Sequence, residues 1–359
     1  MSEFYIGVMS GTSLDGLDIA YCEAKEDEFR LVYAKTYPFD EKLKKDILEA
    51  IEGNITLRMV GELDVRLGRL FSSCIEKFLI EFGIDAKDVS AIGLHGQTLW
   101  HEPNGDLAFS MQLGDANTLN ANLGIRVVSD FRQKDVALGG QGAPFAPAFH
   151  NYIFKKHTDK TAVLNIGGMA NITILGENLI GYDTGCGNVL MDYWIFKHKN
   201  LPYDKNGEWA KSGNANDALL QKMLNEPYFK KPYPKSTGRE LFNKEWLETQ
   251  LDGFLDLKPQ DVQATLLELC ATTMSDEAIK NDIQLLIVCG GGAKNGYLMQ
   301  RLNQKLPQAI SSDEAGVSSE FMEAMAFAWF ARERLHKRAI KISSVTGAKK
   351  DTILGAIYE

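Results

Sequence analysis

The chain is 359 residues long and carries a net charge of −9, with 39 Lys and Arg against 48 Asp and Glu. That balance excludes a broad nucleic-acid surface, which needs a basic stripe to displace counterions; an anionic small molecule would have to be held by local backbone dipoles and a few placed Arg or Lys residues. A hydrophobic fraction of 45% and a charged fraction of 24% are those of a globular chain, long enough for two domains or one large α/β unit with a cleft.

The acidic start, Met1-Ser2-Glu3, leads straight into strand-like sequence and reads as no secretory signal. No apolar run reaches the roughly 20 residues of a membrane span. Cys22, Cys74, Cys186, Cys270 and Cys289 are scattered without a CxxC pair, so reduced thiols in a cytoplasmic protein are expected and a zinc site is not.

In chain order, Phe4 to Val8 and Leu17 to Tyr21 read as two strands joined by Ser10-Gly11-Thr12-Ser13-Leu14-Asp15-Gly16. Two glycines, three hydroxyls and an acid suit a turn whose backbone N–H groups hold phosphate oxygens without a dedicated lysine. They equally suit an ordinary tight hairpin. A third strand is expected over Phe29 to Tyr37, with helices over Glu41 to Ile51 and Leu57 to Phe82, where apolar residues recur at three and four. Val89 to Leu94 reads as a buried strand ending on His95-Gly96-Gln97-Thr98. Gln112 to Asp115 opens a helical stretch, and Arg126 to Ser129 is a short strand ending on Asp130-Phe131-Arg132. Polar residues at the ends of successive strands are where open α/β sheets place ligands.

Gly139 to Pro147 forms the clearest break, and beyond it the opening pattern recurs. Thr161 to Ile166 is a strand, Gly167-Gly168-Met169-Ala170-Asn171 a glycine turn, and Ile172 to Leu175 a strand. This suggests a duplicated α/β unit, with domains of 1–158 and 159–359 and terminal segments returning to the first. Asp183-Thr184-Gly185-Cys186-Gly187-Asn188 precedes a helix from Val189, and Tyr203 to Gly238 reads as an irregular surface excursion. Pro259 opens a helix to Lys280, and Gln284 to Cys289 is a strand delivering Gly290 to Asn295 to a helix N-terminus. A final helix spans about Ser319 to Lys337, whose apolar face around Trp329 could serve the core or a homodimer.

Three glycine-rich turns thus follow strands, at 10–16, 183–188 and 290–295. None is a P-loop, since no glycine is followed by Lys and then Ser or Thr, and Gly185 and Gly187 lack the third glycine of a dinucleotide fingerprint. Together they suit a cleft gripping phosphates between opposed hairpins with a base on the third turn. The histidines form no HxxxH or HExxH pair, so no protein metal site is expected.

The combination of Gly11 to Gly16, His95 to Thr98, Asp130 to Arg132, Gly139 to Pro144, Asn165 to Asn171, Asp183 to Gly185 and Glu323 to Trp329 closely resembles the anhydro-N-acetylmuramic acid kinases of the sugar kinase, Hsp70 and actin superfamily. The match spans essentially the whole chain, with Cys186 standing where relatives are expected to carry proline. The resemblance implies a two-lobed actin-like ATPase (ribonuclease H-like) fold, with duplicated mixed sheets flanked by helices and a central cleft. It also implies ATP and Mg2+, a small-molecule sugar substrate, and a reaction in which water opens 1,6-anhydro-N-acetylmuramic acid at C1 while O6 receives the γ-phosphoryl group. Asp183 matches the family's catalytic base; as a short acid before a helix it could also be a cap. Gly11, Thr12, Ser13 and Gly16 match the first phosphate turn, with Asp15 and Asp18 as candidates beside Mg2+. Gly167, Gly168 and Asn171 match the second turn, with Gly185 and Gly187 close by, and Gly291, Gly292 and Asn295 match the adenosine turn. For the sugar the matching positions are His95, Gln97, Asp115, Asp130, Arg132 and Glu323. Arg132 suits the lactyl carboxylate by its planar fork, or else an ion pair with Asp130 or Asp135. His95 could be a ligand or a core histidine, and Glu323 a sugar contact or a helix-dipole acid. A plain hexose kinase and an ATP-switched binding protein remain the alternatives.

Overall fold

The structure is a computed structural model and describes residues 2–11, 14–26, 28–53, 55–157 and 160–359. Contacts divide it into two units, Met1–Phe149 with Phe321–Glu359 and His150–Glu320. The sequence places this division after residue 158.

The first unit opens with three antiparallel strands, β1 (Glu3–Ser10), β2 (Gly16–Lys25) and β3 (Glu28–Pro38). Helices α1 (Glu41–Ile51) and α2 (Leu57–Phe82) follow with the bounds their periodicity predicts, capped by Asp40 and Thr56. Strand β4 does not stop at Leu94: it runs Val89–Glu102 and turns back as β5 (Phe109–Leu113). Gly96 (φ +79°) makes this possible, since a Cβ there would lie 2.6 Å from the Leu113 carbonyl oxygen. Then come α3 (Ala116–Leu123), β6 (Val127–Ser129), α4 (Gln133–Ala137) and α5 (Ala146–Ile153), which spans the division.

In the second unit β7 (Thr161–Ile166), β8 (Met169–Ile174) and β9 (Ile180–Cys186) are again antiparallel. Helix α6 (Val189–Lys199) follows, and then the segment read as a surface excursion. That reading is wrong: the segment forms α7 (Glu208–Lys211) and α8 (Asp217–Leu224) and buries Trp209, Leu219, Met223 and Tyr228. The apolar spacing within it outweighs its prolines and glycines. Helices α9 (Lys244–Leu251) and α10 (Pro259–Lys280), strand β10 (Leu285–Cys289), helix α11 (Gly296–Lys305) and strand β11 (Ala309–Ser311) complete the unit. Helix α12 (Met322–Leu335), a short turn α13 (Ser343–Thr346) and β12 (Ala356–Tyr358) belong to the first unit.

The two sheets repeat one design. The first orders its strands β12-β6-β4-β1-β2-β3, and the second β11-β10-β7-β8-β9. In each, an antiparallel meander is extended by parallel strands beside its first strand. Ile6, Val8, Leu17, Phe71 and Leu94 anchor one core, and Ile166, Ile172, Leu266, Met274 and Val288 the other. The Trp329 face of α12 belongs to the core: Trp329 is buried against the rings of Phe149 and Phe330. Among the described residues no helix is long and apolar enough to cross a membrane.

Candidate active site

Asp183 lies inside strand β9, not at its end, and so cannot cap α6, whose N-cap is Asn188. Its neighbour across the sheet is Asn171, which in turn faces Asn165 on β7. One carboxylate oxygen, Oδ2, accepts the Thr237 N–H at 3.0 Å. The Asp183 N–H donates to the Lys235 carbonyl (3.2 Å), and its own carbonyl accepts the Tyr228 hydroxyl (2.8 Å). Burial raises the carboxyl pKa above the ordinary range; the Thr237 N–H opposes this and nearby Glu240 adds to it. The supports at 228–237 lie in the segment misread as an excursion. The signal was available in Tyr228 and Phe229, too large and apolar for a solvated loop.

The second glycine turn joins β7 to β8. Gly167 and Gly168 present their carbonyls to the N–H groups of Gly187, Asn188 and Val189, which brace the turn from the start of α6. Gly187 is required for this approach, because a Cβ would sit 2.4 Å from the Gly167 oxygen. Gly185 adopts φ +147° under the Phe229 ring, 2.7 Å from where a Cβ would be. These two glycines are therefore accounted for by packing around the turn. In the third turn Gly292 is buried against Ile166, Gly291 is exposed, and Asn295 caps α11 by accepting the Leu298 N–H at 3.0 Å.

In the first unit, Thr12 and Ser13 lie outside the described residues. Around them, Leu14 donates to the Gly11 carbonyl, Asp15 is exposed, and Gly16 packs on the Tyr37 backbone. Ser10, at the entry of the turn, donates its hydroxyl to the buried Gln97 side chain, so Gln97 anchors the turn from β4. Asp18 accepts the Thr36 hydroxyl at 2.6 Å.

His95, Arg132 and Glu323 form one group. Burial, reinforced by the Arg132 charge, pushes the His95 pKa down to about 3, so the ring is neutral. Its Nδ1 donates to the Gly96 carbonyl (2.7 Å), which leaves Nε2 to accept from Arg132 Nε (3.2 Å) and Nη2 (2.9 Å). Both ring nitrogens are thus committed, and His95 aims the guanidinium. Arg132 also reaches the Gly142 carbonyl (3.2 Å), while Asp135 takes the Gly142 N–H and the Thr346 hydroxyl. Glu323 opens to solvent yet is surrounded by enough protein that desolvation raises its pKa, with Asp18 adding to the shift and Arg132 opposing it.

Asp115 and Asp130 are placed elsewhere, lining a cavity of about 320 Å³ with Asp64, Gln112, Gln133 and Tyr358. Asp115 also caps α3: burial works against its charge, but bonds from Thr118 and Asn117 outweigh it and hold the pKa low. Asp130 is exposed at the end of β6 in a left-handed conformation (φ +56°).

Two units of one strand order, each with a glycine turn between its first two strands, define a duplicated ribonuclease H-like fold of the actin-like ATPase and sugar kinase class. Within that class the chain belongs to the anhydro-N-acetylmuramic acid kinase family, whose sequence profile matches residues 3–359. Relatives bearing that name include a protein of Sulfurimonas denitrificans, 62% identical over the whole of both chains. Others are a Sulfurovum protein, 52% identical over 99% of each chain, and one from Pasteurella multocida, 49% identical over 99% of this chain and 96% of that one.

Proposed function

We infer that this protein is an ATP-dependent kinase that hydrolytically opens 1,6-anhydro-N-acetylmuramic acid and phosphorylates its O6, yielding N-acetylmuramic acid 6-phosphate and ADP in the cytoplasmic recycling of cell-wall sugar. Family membership over the full chain supports the substrate class. The observation that carries the mechanism is the setting of Asp183, a half-buried carboxylate held by one backbone N–H and made more basic by its surroundings.

In this reading Asp183 takes a proton from water as the water oxygen bonds to C1. The C1–O6 bond breaks, and O6 keeps the electron pair and bonds to the γ-phosphorus, whose bond to the β–γ bridging oxygen breaks to release ADP. An ordinary glycosidase needs a second carboxyl group to protonate the departing oxygen. Here phosphorus captures that oxygen, so one base suffices. Raising the pKa of that base toward the working pH improves proton abstraction.

Arg132, aimed by His95, is the anchor for the lactyl carboxylate, with Glu323 for hydroxyl or acetamido groups; Gln97 shapes the adjoining backbone, while Asp130 and Asp115 line the separate cavity and are not assigned a sugar contact. The first turn, from Gly11 to Gly16, and Gly167-Gly168 hold the phosphates; Gly291, Gly292 and Asn295 hold the adenosine. Among the described residues no cluster of three or more His, Cys, Asp or Glu could cage a metal. Mg2+ would come with the nucleotide, with Asp15 and Asp18 as the candidate residues beside it, and would supply neutralisation of phosphate charge.

The test is Asp183→Asn. Turnover of the anhydro sugar should fall by about 10²–10⁴-fold, the contribution typical of a positioned base, while ATP binding stays unchanged. Near-normal turnover would remove Asp183 from the role.

A further inference from the structure

Strand β9 forms one edge of the second sheet. Residues 228–237 run along that edge and supply three hydrogen bonds to the Asp183 peptide and carboxylate, from Tyr228 Oη, to the Lys235 carbonyl and from the Thr237 N–H. From Lys231 to Thr237 this segment is neither helix nor strand, and the backbone–backbone hydrogen bond described between it and β9 is the one from the Asp183 N–H to the Lys235 carbonyl.

The Lys235 side chain ties the same residue to the helix behind it. The side chain is buried, 2% exposed, and its ammonium donates to Glu277 Oε1 on α10 at 2.7 Å. The other Glu277 oxygen accepts the Tyr182 hydroxyl at 2.8 Å, and Asn281 Nδ2 reaches that hydroxyl at 3.0 Å. The ammonium also lies 5.7 Å from the Tyr182 ring centre and 5.2 Å from that of Tyr228. Tyr182 precedes Asp183 on β9 and Tyr228 bonds its carbonyl, so the ion pair ties together the residues that frame the base. A buried ion pair is a poor way to gain stability, because desolvating both charges costs about as much as their attraction returns. Its value is directional.

We propose that Lys235 is a positioning residue for the reaction: its ion pair with Glu277 pins residues 235–237 so that the Thr237 N–H holds the Asp183 carboxylate facing its water. The proposal rests on Asp183 being the base. Glu240 bears on the carboxylate from beyond the segment and Tyr228 is electrostatically linked to it from within; Glu277 and Tyr182 act on Tyr228, Lys235 pairs with Glu277, and Lys280 lies 3.6 Å from Glu277 on the outside. Of these contacts the Thr237 N–H favours the ionised form, so losing it raises the pKa of the base.

The variants are Lys235→Met, the double variant Lys235→Met/Glu277→Leu, which leaves no lone buried charge, and Lys235→Arg. The readouts are kcat, both KM values, the pH profile of kcat, and amide hydrogen exchange at Asp183 and Thr237. The double variant should lose about tenfold or more in kcat, the scale of a misplaced catalytic group, with both KM values within about twofold. Its acid limb should move to higher pH, both amides should exchange faster, and Lys235→Arg should recover part of kcat. A folded double variant with normal kcat and an unmoved acid limb overturns the proposal, as does a kcat loss accompanied by a proportionate rise in KM. If the unaltered protein fails to open the anhydro sugar, the reading of Asp183 is what has failed. Exchange then decides the clamp: unchanged protection at Thr237 overturns it, and lost protection supports it.

Discussion

Helix α12 lies on the first sheet with no side chains between the two backbones at Gly7 and Gly93. A Cβ added at Gly7 would sit 1.8 Å from the Ala324 carbonyl oxygen and 2.6 Å from the Ala328 nitrogen; one at Gly93 would sit 1.9 Å from the Phe327 oxygen. A carbon and a carbonyl oxygen approach to about 3.3 Å at closest, so Gly7→Ala must drive the helix back by about 1.5 Å. The obstacle is backbone rather than a flexible side chain, which places the cost near the upper end of overpacking, about 3 kcal/mol. At roughly 2–4 °C per kcal/mol for a unit of this size, the unfolding midpoint should fall by about 6–12 °C. Activity should suffer as well, because α12 carries Glu323, and its Phe327 ring lies 4.7 Å from that of His95. Gly61→Ala is the control. Gly61 lies exposed in α2 with open space where its Cβ would be, so that change should raise stability by about 0.5–1 kcal/mol. The assay is thermal unfolding of both variants by circular dichroism. A Gly7→Ala midpoint within about 2 °C of the parent would refute the packing argument.

Asp183→Asn should also change stability with pH. A raised carboxyl pKa means the fold favours the protonated form, a contribution present at low pH and lost as pH rises through the folded value. The variant should therefore melt at or above the parent's temperature at pH 7, with the advantage gone below about pH 4; a lower midpoint at pH 7 contradicts this. His95 and the buried His150, which bonds Thr173, both have pKa values pressed down to about 3 by burial. Their neutral forms support the fold fully above pH 6.5, and that support is lost as pH falls toward 3. The midpoint of His150→Asn should decline less steeply over that window, as scanning calorimetry at several pH values will show. Arg132→Lys gives up the planar fork and the paired contact with His95. It should raise KM for the sugar by about 10-fold or more, the worth of one charge-assisted bond, and leave KM for ATP alone. An equal rise in both values would count against Arg132 as the carboxylate anchor.

The parts of the fold legible in the sequence are those set by local patterns. Helices α1 and α2 kept their predicted bounds because apolar periodicity and an Asp or Thr cap act within one turn. The glycine turn after β7 was legible for the same reason. Strand β4 was cut short because His95 to Thr98 reads as polar, whereas its polarity is absorbed by Arg132, Ser10 and the β5 hairpin. Asn104-Gly105 was the overlooked hairpin signal. Asp183 was picked out by motif, but its supports were not: Thr237 is 54 residues away and Lys235 meets Glu277 across 42, separations that no local pattern encodes. The same holds for Gly7 and Gly93, whose lack of a side chain has meaning only once α12 lies across them.

The measurement that bears most directly on the central claim is product analysis in water enriched in heavy oxygen. The protein is incubated with Mg-ATP and 1,6-anhydro-N-acetylmuramic acid, and the product is read by mass spectrometry and NMR. The account predicts a 6-phosphate carrying the heavy label at C1 and an opened bridge, in equal amount to the ADP formed. A phosphorylated sugar with its anhydro bridge intact, or ADP formed without any sugar product, would contradict it.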